Sequence, residues 1–247
     1  MTCVTNLAHH GEVTLSTRSN DDDPRRDYYV AGLAAERLRR CYELATPAVR
    51  RYLAAEIAYV RERLAPGDRV LELGCGYGRI MRELAPAAGF VCGVDTSLAS
   101  LRLGVEFLAG LDNTALVLAD AAAPACLPGA FDVVCCLQNG VSAFKVDPAR
   151  LCAAALAATR PGGLVLFASY AATFWSERLA WFRIQADHGL VGEIDEDATG
   201  DGEIVCRDGF TATTYDERAF RALAEACGRD AHVETVAGSS LFCELTA

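Results

Sequence analysis

The chain reads as an α/β domain with a mostly parallel, seven-stranded sheet, helices on both faces and an N-terminal helical extension. Three observations predict this. Short apolar runs alternate with helical stretches from Arg69 onward, the order that βαβ units produce. A turn carrying three glycines, Gly74-Cys75-Gly76-Tyr77-Gly78, follows the first of those runs and leads straight into a helix. The 247 residues are 52% hydrophobic and 23% charged, enough apolar material for one domain with its own core.

Residues 1–25 are polar and unpatterned, ending in Asp21-Asp22-Asp23-Pro24, and are expected to form a mobile arm; residues 26–247 are expected to form one domain. In the helical extension, residues 26–66, Leu33, Leu38, Tyr42, Val49, Leu53, Ile57, Val60 and Leu64 mark a buried face. Thr46-Pro47 combines an N-cap residue with proline at the first helical position, so two helices meet there. Strands are expected at 69–73, 90–94, 115–118, 131–137 and 164–168, with helices at 80–84, 97–108 and 148–158 and a turn at Pro161-Gly162-Gly163. Residues 170–212 form an insertion: an aromatic helix over 173–186, then a hairpin turn at 195–202. A helix at 216–227 and strands at 233–236 and 240–245 close the sheet with an antiparallel pair.

Composition narrows the function classes. A formal net charge of -10 lacks the concentrated basic surface that binds nucleic acid by counterion release. No apolar run approaches the ~20 residues that span a bilayer, and the first twenty residues lack a basic-then-apolar leader, so a cytoplasmic protein with no membrane partner is expected. The eleven cysteines are scattered through apolar stretches, without C-x-x-C or Cys/His zinc spacing. They are expected to be reduced, buried thiols, with no metal bound.

The glycine turn carries the chemistry. Its glycines permit a tight reversal and bring the backbone close to a ligand without intervening Cβ atoms. Asp95, 21 residues after Gly74 at the end of the next strand, stands where an acidic side chain accepts ribose hydroxyls, so an adenosine-containing cofactor is expected. Dinucleotide sites carry a third small residue at the position occupied here by Arg79. The spacing Glu72-Leu73-Gly74-Cys75-Gly76-Tyr77-Gly78 instead resembles the first motif of class I S-adenosylmethionine-dependent methyltransferases. The resemblance continues through Gly93-Val94-Asp95-Thr96-Ser97, Ala119-Asp120-Ala121, Phe131-Asp132-Val133-Val134 and Arg160-Pro161-Gly162-Gly163, in that family's order.

That resemblance implies a Rossmann-like fold and S-adenosylmethionine as cofactor, with S-adenosylhomocysteine as product. It implies that Glu72 orients the loop and that Gly74, Cys75 and Gly76 lie under the methionine moiety. Asp95, with Thr96 beside it, would hold the ribose, and Asp120 with Ala121 the adenine. Gln138 and Asn139, followed by Gly140, would line the pocket near the sulfonium. Tyr28 and Tyr29 resemble aromatics that cover the cofactor in small-molecule members, and they read equally as helix-packing residues. Tyr28, Asn139, Phe144, Tyr170 and Trp175 are the candidate substrate walls, although such an aromatic stretch is more often the buried face of a helix.

Of the four histidines only His188, between the aromatic helix and the hairpin, is placed to reach a pocket as a base. Methyl transfer from a sulfonium needs alignment and a deprotonated acceptor, since the thioether leaves without an acid. With bases so scarce, a small thiol is the expected acceptor, with O- or N-methylation of a small metabolite as the alternative. A non-catalytic S-adenosylmethionine-binding regulator and an NAD(P)-dependent oxidoreductase remain the competing readings.

Overall fold

The computed structural model describes residues 13–15, 28 and 32–247. Strand β2 (Arg69–Leu73) occupies the middle of the sheet, and the chain moves outward from it through β3 (Phe90–Asp95) to β4 (Thr114–Leu118). It then returns to the other side of β2 with β5 (Phe131–Cys136) and β6 (Thr159–Tyr170), and ends with β9 (Ala231–Val236) and β10 (Ser240–Thr246). β1 (Val13–Leu15) adds an edge strand beside β4, giving the eight-stranded order β1-β4-β3-β2-β5-β6-β10-β9. Pairing is parallel from β1 to β6 and antiparallel from β6 through β10 to β9. The expected seven strands are therefore present, plus β1 within the segment expected as a mobile arm; the rest of 1–27 and 29–31 lie outside the described residues.

This order makes a topological switch at β2 and β5, where one connection leaves to each side and a crevice opens beyond the strand ends. Both faces of the sheet are buried, so its central strands are apolar throughout. Leu71, Leu73, Val134, Cys136 and Phe167 face helices α6 (Pro148–Ala158) and α8 (Glu217–Ala226). The alternate residues Val70, Val91, Val133, Cys135 and Leu166 face α2 (Pro47–Arg61), α3 (Arg79–Leu84) and α4 (Leu98–Phe107). The expected turn at 161–163 is absorbed into the start of β6, opposite a register shift between Phe131 and Val133. There Asp132 accepts the Arg69 amide and pairs with Arg160, a structural role.

A third core lies apart from the sheet. Helix α1 (Glu36–Glu43), the first half of α2, and the insertion bury Leu33, Tyr52, Trp181, Phe182, Ile204 and Phe210 together. Thr46 caps α2 as expected, accepting the Val49 amide at 3.2 Å. Helix α7 (Trp175–Asp187) donates Trp181 Nε1–H to the Cys41 carbonyl at 3.1 Å. Arg37 reaches back from α1 to the Gly189 and Leu190 carbonyls. The 195–202 turn closes on an Ile194–Cys206 bridge, and a second small hairpin follows from β7 (Ile204–Val205) and β8 (Thr211–Ala212). The helical extension and the insertion, joined by hydrogen bonds that span 140 and 152 residues of sequence, thus form one cap. No helix among the described residues is long and apolar enough to cross a membrane.

Replacing Trp181 with Phe leaves the buried Cys41 carbonyl without its donor and is expected to cost about 1–3 kcal/mol in urea unfolding. Amide exchange should quicken in α1 before it does in β2 and β5. Equal protection of α1 in both proteins would contradict a shared cap.

Candidate active site

The site assembles at the switch point. β2 ends at Leu73 and the chain enters left-handed conformations at Gly74 (φ 77°) and Gly76 (φ 55°), where side chains are disfavoured. The Gly74 and Cys75 amides both donate to the Val94 carbonyl. Asp95 takes the next amide: its Oδ2 accepts Gly76 N–H at 2.8 Å and its Oδ1 accepts Ser97 N–H at 2.7 Å. Each oxygen keeps a second lone pair for a ligand hydroxyl. Burial raises the Asp95 pKa above the usual carboxylate value, opposed by the amides of Ser97, Gly76 and Thr96. The glycines also make room for protein: a Cβ on Gly74 would run into the Phe144 ring, and one on Gly76 would lie 2.9 Å from Leu38 of α1.

Around this loop lie buried polar atoms with no partner among the described residues: Glu72 Oε2, Arg79 Nε and Nη2, and Gln138 Nε2. Glu72 is 3% exposed, and burial pushes its pKa to about 8, with Arg79 opposing. The Arg79 guanidinium lies 4.6 Å from the Tyr42 ring centroid, and Tyr42 O–H donates to Gln138 Oε1 at 2.6 Å. Gln138 and Asn139 are both left-handed, at φ 51° and 63°, a strained pair directly after β5. Fully buried Glu56 of α2 anchors the pair, accepting Gln138 N–H at 3.1 Å and Ser240 O–H at 2.8 Å. Burial raises the Glu56 pKa to about 7.

With that geometry in view, similarities to known proteins can be placed on it. A family profile described as a methyltransferase domain matches residues 70–163, the span from β2 to the start of β6 that contains the loop and Asp95. Residues 70–163 are thus similar to a methyltransferase domain. The chain is 36% identical over 108 residues to a ubiquinone biosynthesis O-methyltransferase of Burkholderia thailandensis, covering 42% of this chain and 45% of that protein. The counterpart from Bordetella pertussis is 35% identical over 107 residues, with 42% and 43% covered. The chain thus matches less than half the length of these curated relatives. Two solved structures share its fold: the PH0226 protein of Pyrococcus horikoshii OT3 (16% identical, TM-score 0.63, 89% of this chain and 97% of that one) and magnesium protoporphyrin IX methyltransferase of Synechocystis PCC 6803 with bound SAH (19%, TM-score 0.57, 90% and 96%).

Within this methyltransferase fold the expected residues fare differently. Glu72, Gly74, Cys75, Gly76, Asp95 and Gln138 converge on the loop. Thr96 is exposed beside them, and Asp120 forms a turn, its Oδ1 accepting Ala122 N–H at 2.8 Å, next to buried Ala121. Asn139 differs from its expected ligand role: its Nδ2 is committed to the Thr213 carbonyl and its Oδ1 to the Ser169 hydroxyl. Phe144, which follows the short helix α5 (Gly140–Ala143), lies at the loop, against Gly74. Tyr170 stacks on Tyr52 at 4.8 Å inside the cap, with Trp175 near the same Arg178, so these two belong to packing rather than to an open wall. Tyr28 packs on Phe210 and donates to Asp208 at 3.3 Å, and burial pushes its pKa to about 12; Tyr29 lies outside the described residues.

His188 is a correction. It is exposed at the C-terminal end of α7, its Nδ1 bonded to its own helix at Ile184, and nothing brings it to the loop. Burial raises the Cys75 thiol well above its usual value, which suits packing rather than nucleophilic chemistry. No cluster of metal-ligating side chains occurs among the described residues.

The residues present fit S-adenosylmethionine. An unpartnered carboxyl oxygen suits an ammonium, unpartnered donors suit a carboxylate, and Asp95 offers acceptors to a diol. Asp95→Ala is expected to weaken S-adenosylhomocysteine binding more than tenfold by titration calorimetry, since each bond to a charged acceptor is worth ~1.5–3 kcal/mol; an unchanged dissociation constant would contradict the site. The buried carboxyls also set a pH trend. Folded Glu72 keeps a proton that the unfolded chain releases above its ordinary value of 4.5, so that stability is lost as pH climbs through about 8. The melting temperature of the ligand-free protein should therefore fall from pH 5 to about 8, and Glu72→Gln should flatten that slope.

Proposed function

We propose that this protein is an S-adenosylmethionine-dependent methyltransferase acting on a hydroxyl group of a small molecule. The observation that carries the reading is the Asp95-clamped glycine loop at the switch point, inside the span matched by the methyltransferase profile. The bound cofactor would supply a methyl group on a sulfonium. Asp95 would hold the ribose diol, Glu72 would receive the ammonium, and the strained Gln138–Asn139 turn would border the acceptor.

The curated relatives are named for O-methylation, so a hydroxyl replaces the thiol expected from the scarcity of bases, for which nothing speaks. That scarcity still shapes the acceptor. Of the two described histidines, His188 is bound to its own helix and His232 lies on edge strand β9 beside Glu234. An acidic hydroxyl such as a phenol, with a reference pKa of ~10 for tyrosine, asks less of such a site than an alcohol does.

Release of S-adenosylhomocysteine, followed across matched phenols, alcohols, thiols and amines, tests this. Turnover is expected with phenols, faster as electron-withdrawing groups lower the phenol pKa. Turnover confined to thiols or amines would contradict O-methylation. Silence throughout, with tight S-adenosylhomocysteine binding, would favour a binding protein.

A further inference from the structure

Three of the buried, unpartnered atoms near the loop are hydrogen-bond donors, and one side chain orients them all. Arg79 lies over the face of Tyr42, which steadies the guanidinium while leaving Nε and Nη2 unbonded. The Tyr42 hydroxyl engages Gln138 Oε1, which fixes the amide with Nε2 directed elsewhere. The left-handed backbone of Gln138, held by Glu56, sets where that amide projects from the turn. No carboxylate satisfies these donors: Arg79 makes no ion pair within 4.0 Å among the described residues, and Glu56 is already engaged by Ser240 and the Gln138 backbone. The carboxyls of Glu72 and Glu56 act on Arg79 electrostatically without bonding to it, and a guanidinium taken out of water with idle donors is a costly arrangement.

We propose that Arg79 and Gln138, set by Tyr42, form a receiving site for a carboxylate-type oxyanion beside the glycine loop. The guanidinium offers two adjacent donors to paired oxygens and the amide a third, the geometry that planar anions favour. This rests on the methyltransferase reading and deepens it, because the anion has two sources: the cofactor's own carboxylate, or an acidic group on the acceptor. The second source narrows the substrate to acidic small molecules.

The test titrates wild type, Arg79→Leu, Arg79→Lys and Gln138→Leu with S-adenosylhomocysteine and with 5′-methylthioadenosine, which lacks the amino-acid end. Benzoate and inorganic phosphate are then titrated into the S-adenosylhomocysteine-loaded proteins. If the anion is the cofactor's, Arg79→Leu loses at least tenfold in S-adenosylhomocysteine affinity, Gln138→Leu loses less, and 5′-methylthioadenosine binds all four proteins equally, which also shows that they are folded. If it is the acceptor's, both adenosyl ligands bind unchanged, while benzoate or phosphate binds the loaded wild type and not loaded Arg79→Leu. Unchanged S-adenosylhomocysteine affinity with no anion binding to any protein overturns the proposal and leaves the methyltransferase reading standing. So does a parallel loss of both adenosyl ligands in the Leu and Lys variants, which would make Arg79 a structural residue. Wild type binding neither adenosyl ligand overturns that reading and this proposal together.

Discussion

Asp95 binds the turn after β2 to the end of β3 through two backbone amides, one from Gly76 in the turn and one from Ser97 at the start of α4. A single carboxylate thereby fixes two adjacent chain reversals at the point where the sheet order switches. The glycines can hold their left-handed conformations because Asp95 and the Val94 carbonyl satisfy the amides that the turn would otherwise leave idle. Each Asp95 oxygen keeps acceptor capacity beyond these amide bonds. Remove this clamp and neither the loop nor the ligand geometry has a reason to persist.

The cap gives the crevice its character. Two segments far apart in sequence bury a common core of aromatic residues, and Trp181 and Arg37 join them through backbone carbonyls. Because Leu38 presses on Gly76 and Tyr42 reaches Gln138, the cap also shapes the loop and the turn beneath it. Beneath the cap the polar groups are buried but incompletely paired, an arrangement stabilised by whatever ligand completes their bonds. A ligand that completed those bonds would relieve a penalty that the ligand-free fold carries.

Much of this was legible in the sequence, for reasons that separate local from tertiary signals. The strands, the Thr46 cap and the glycine loop depend on short-range chemistry, and they lie where periodicity and turn residues place them. Tyr42 read only as an apolar position on a helix, because periodicity records burial and is blind to what a phenol hydroxyl will meet. Arg79 stood out as a mismatch to the dinucleotide pattern, a negative observation that did not reveal its unpartnered donors. Glu56 gave no signal at all, since a glutamate on an amphipathic helix is ordinarily exposed and only the approach of the 138–139 turn and β10 buries it. Asn139 and His188 misled in opposite ways: the first has the expected position but spends its amide on Thr213 and Ser169, and the second has the expected chemistry at the wrong end of a helix.

The central claim is that the loop and Asp95 receive an adenosyl amino acid rather than a dinucleotide. Titration calorimetry of the wild-type protein with S-adenosylhomocysteine and, separately, with NADH tests it most directly. The account predicts saturable one-to-one binding of S-adenosylhomocysteine and none of NADH. Binding of NADH with no heat from S-adenosylhomocysteine would contradict it.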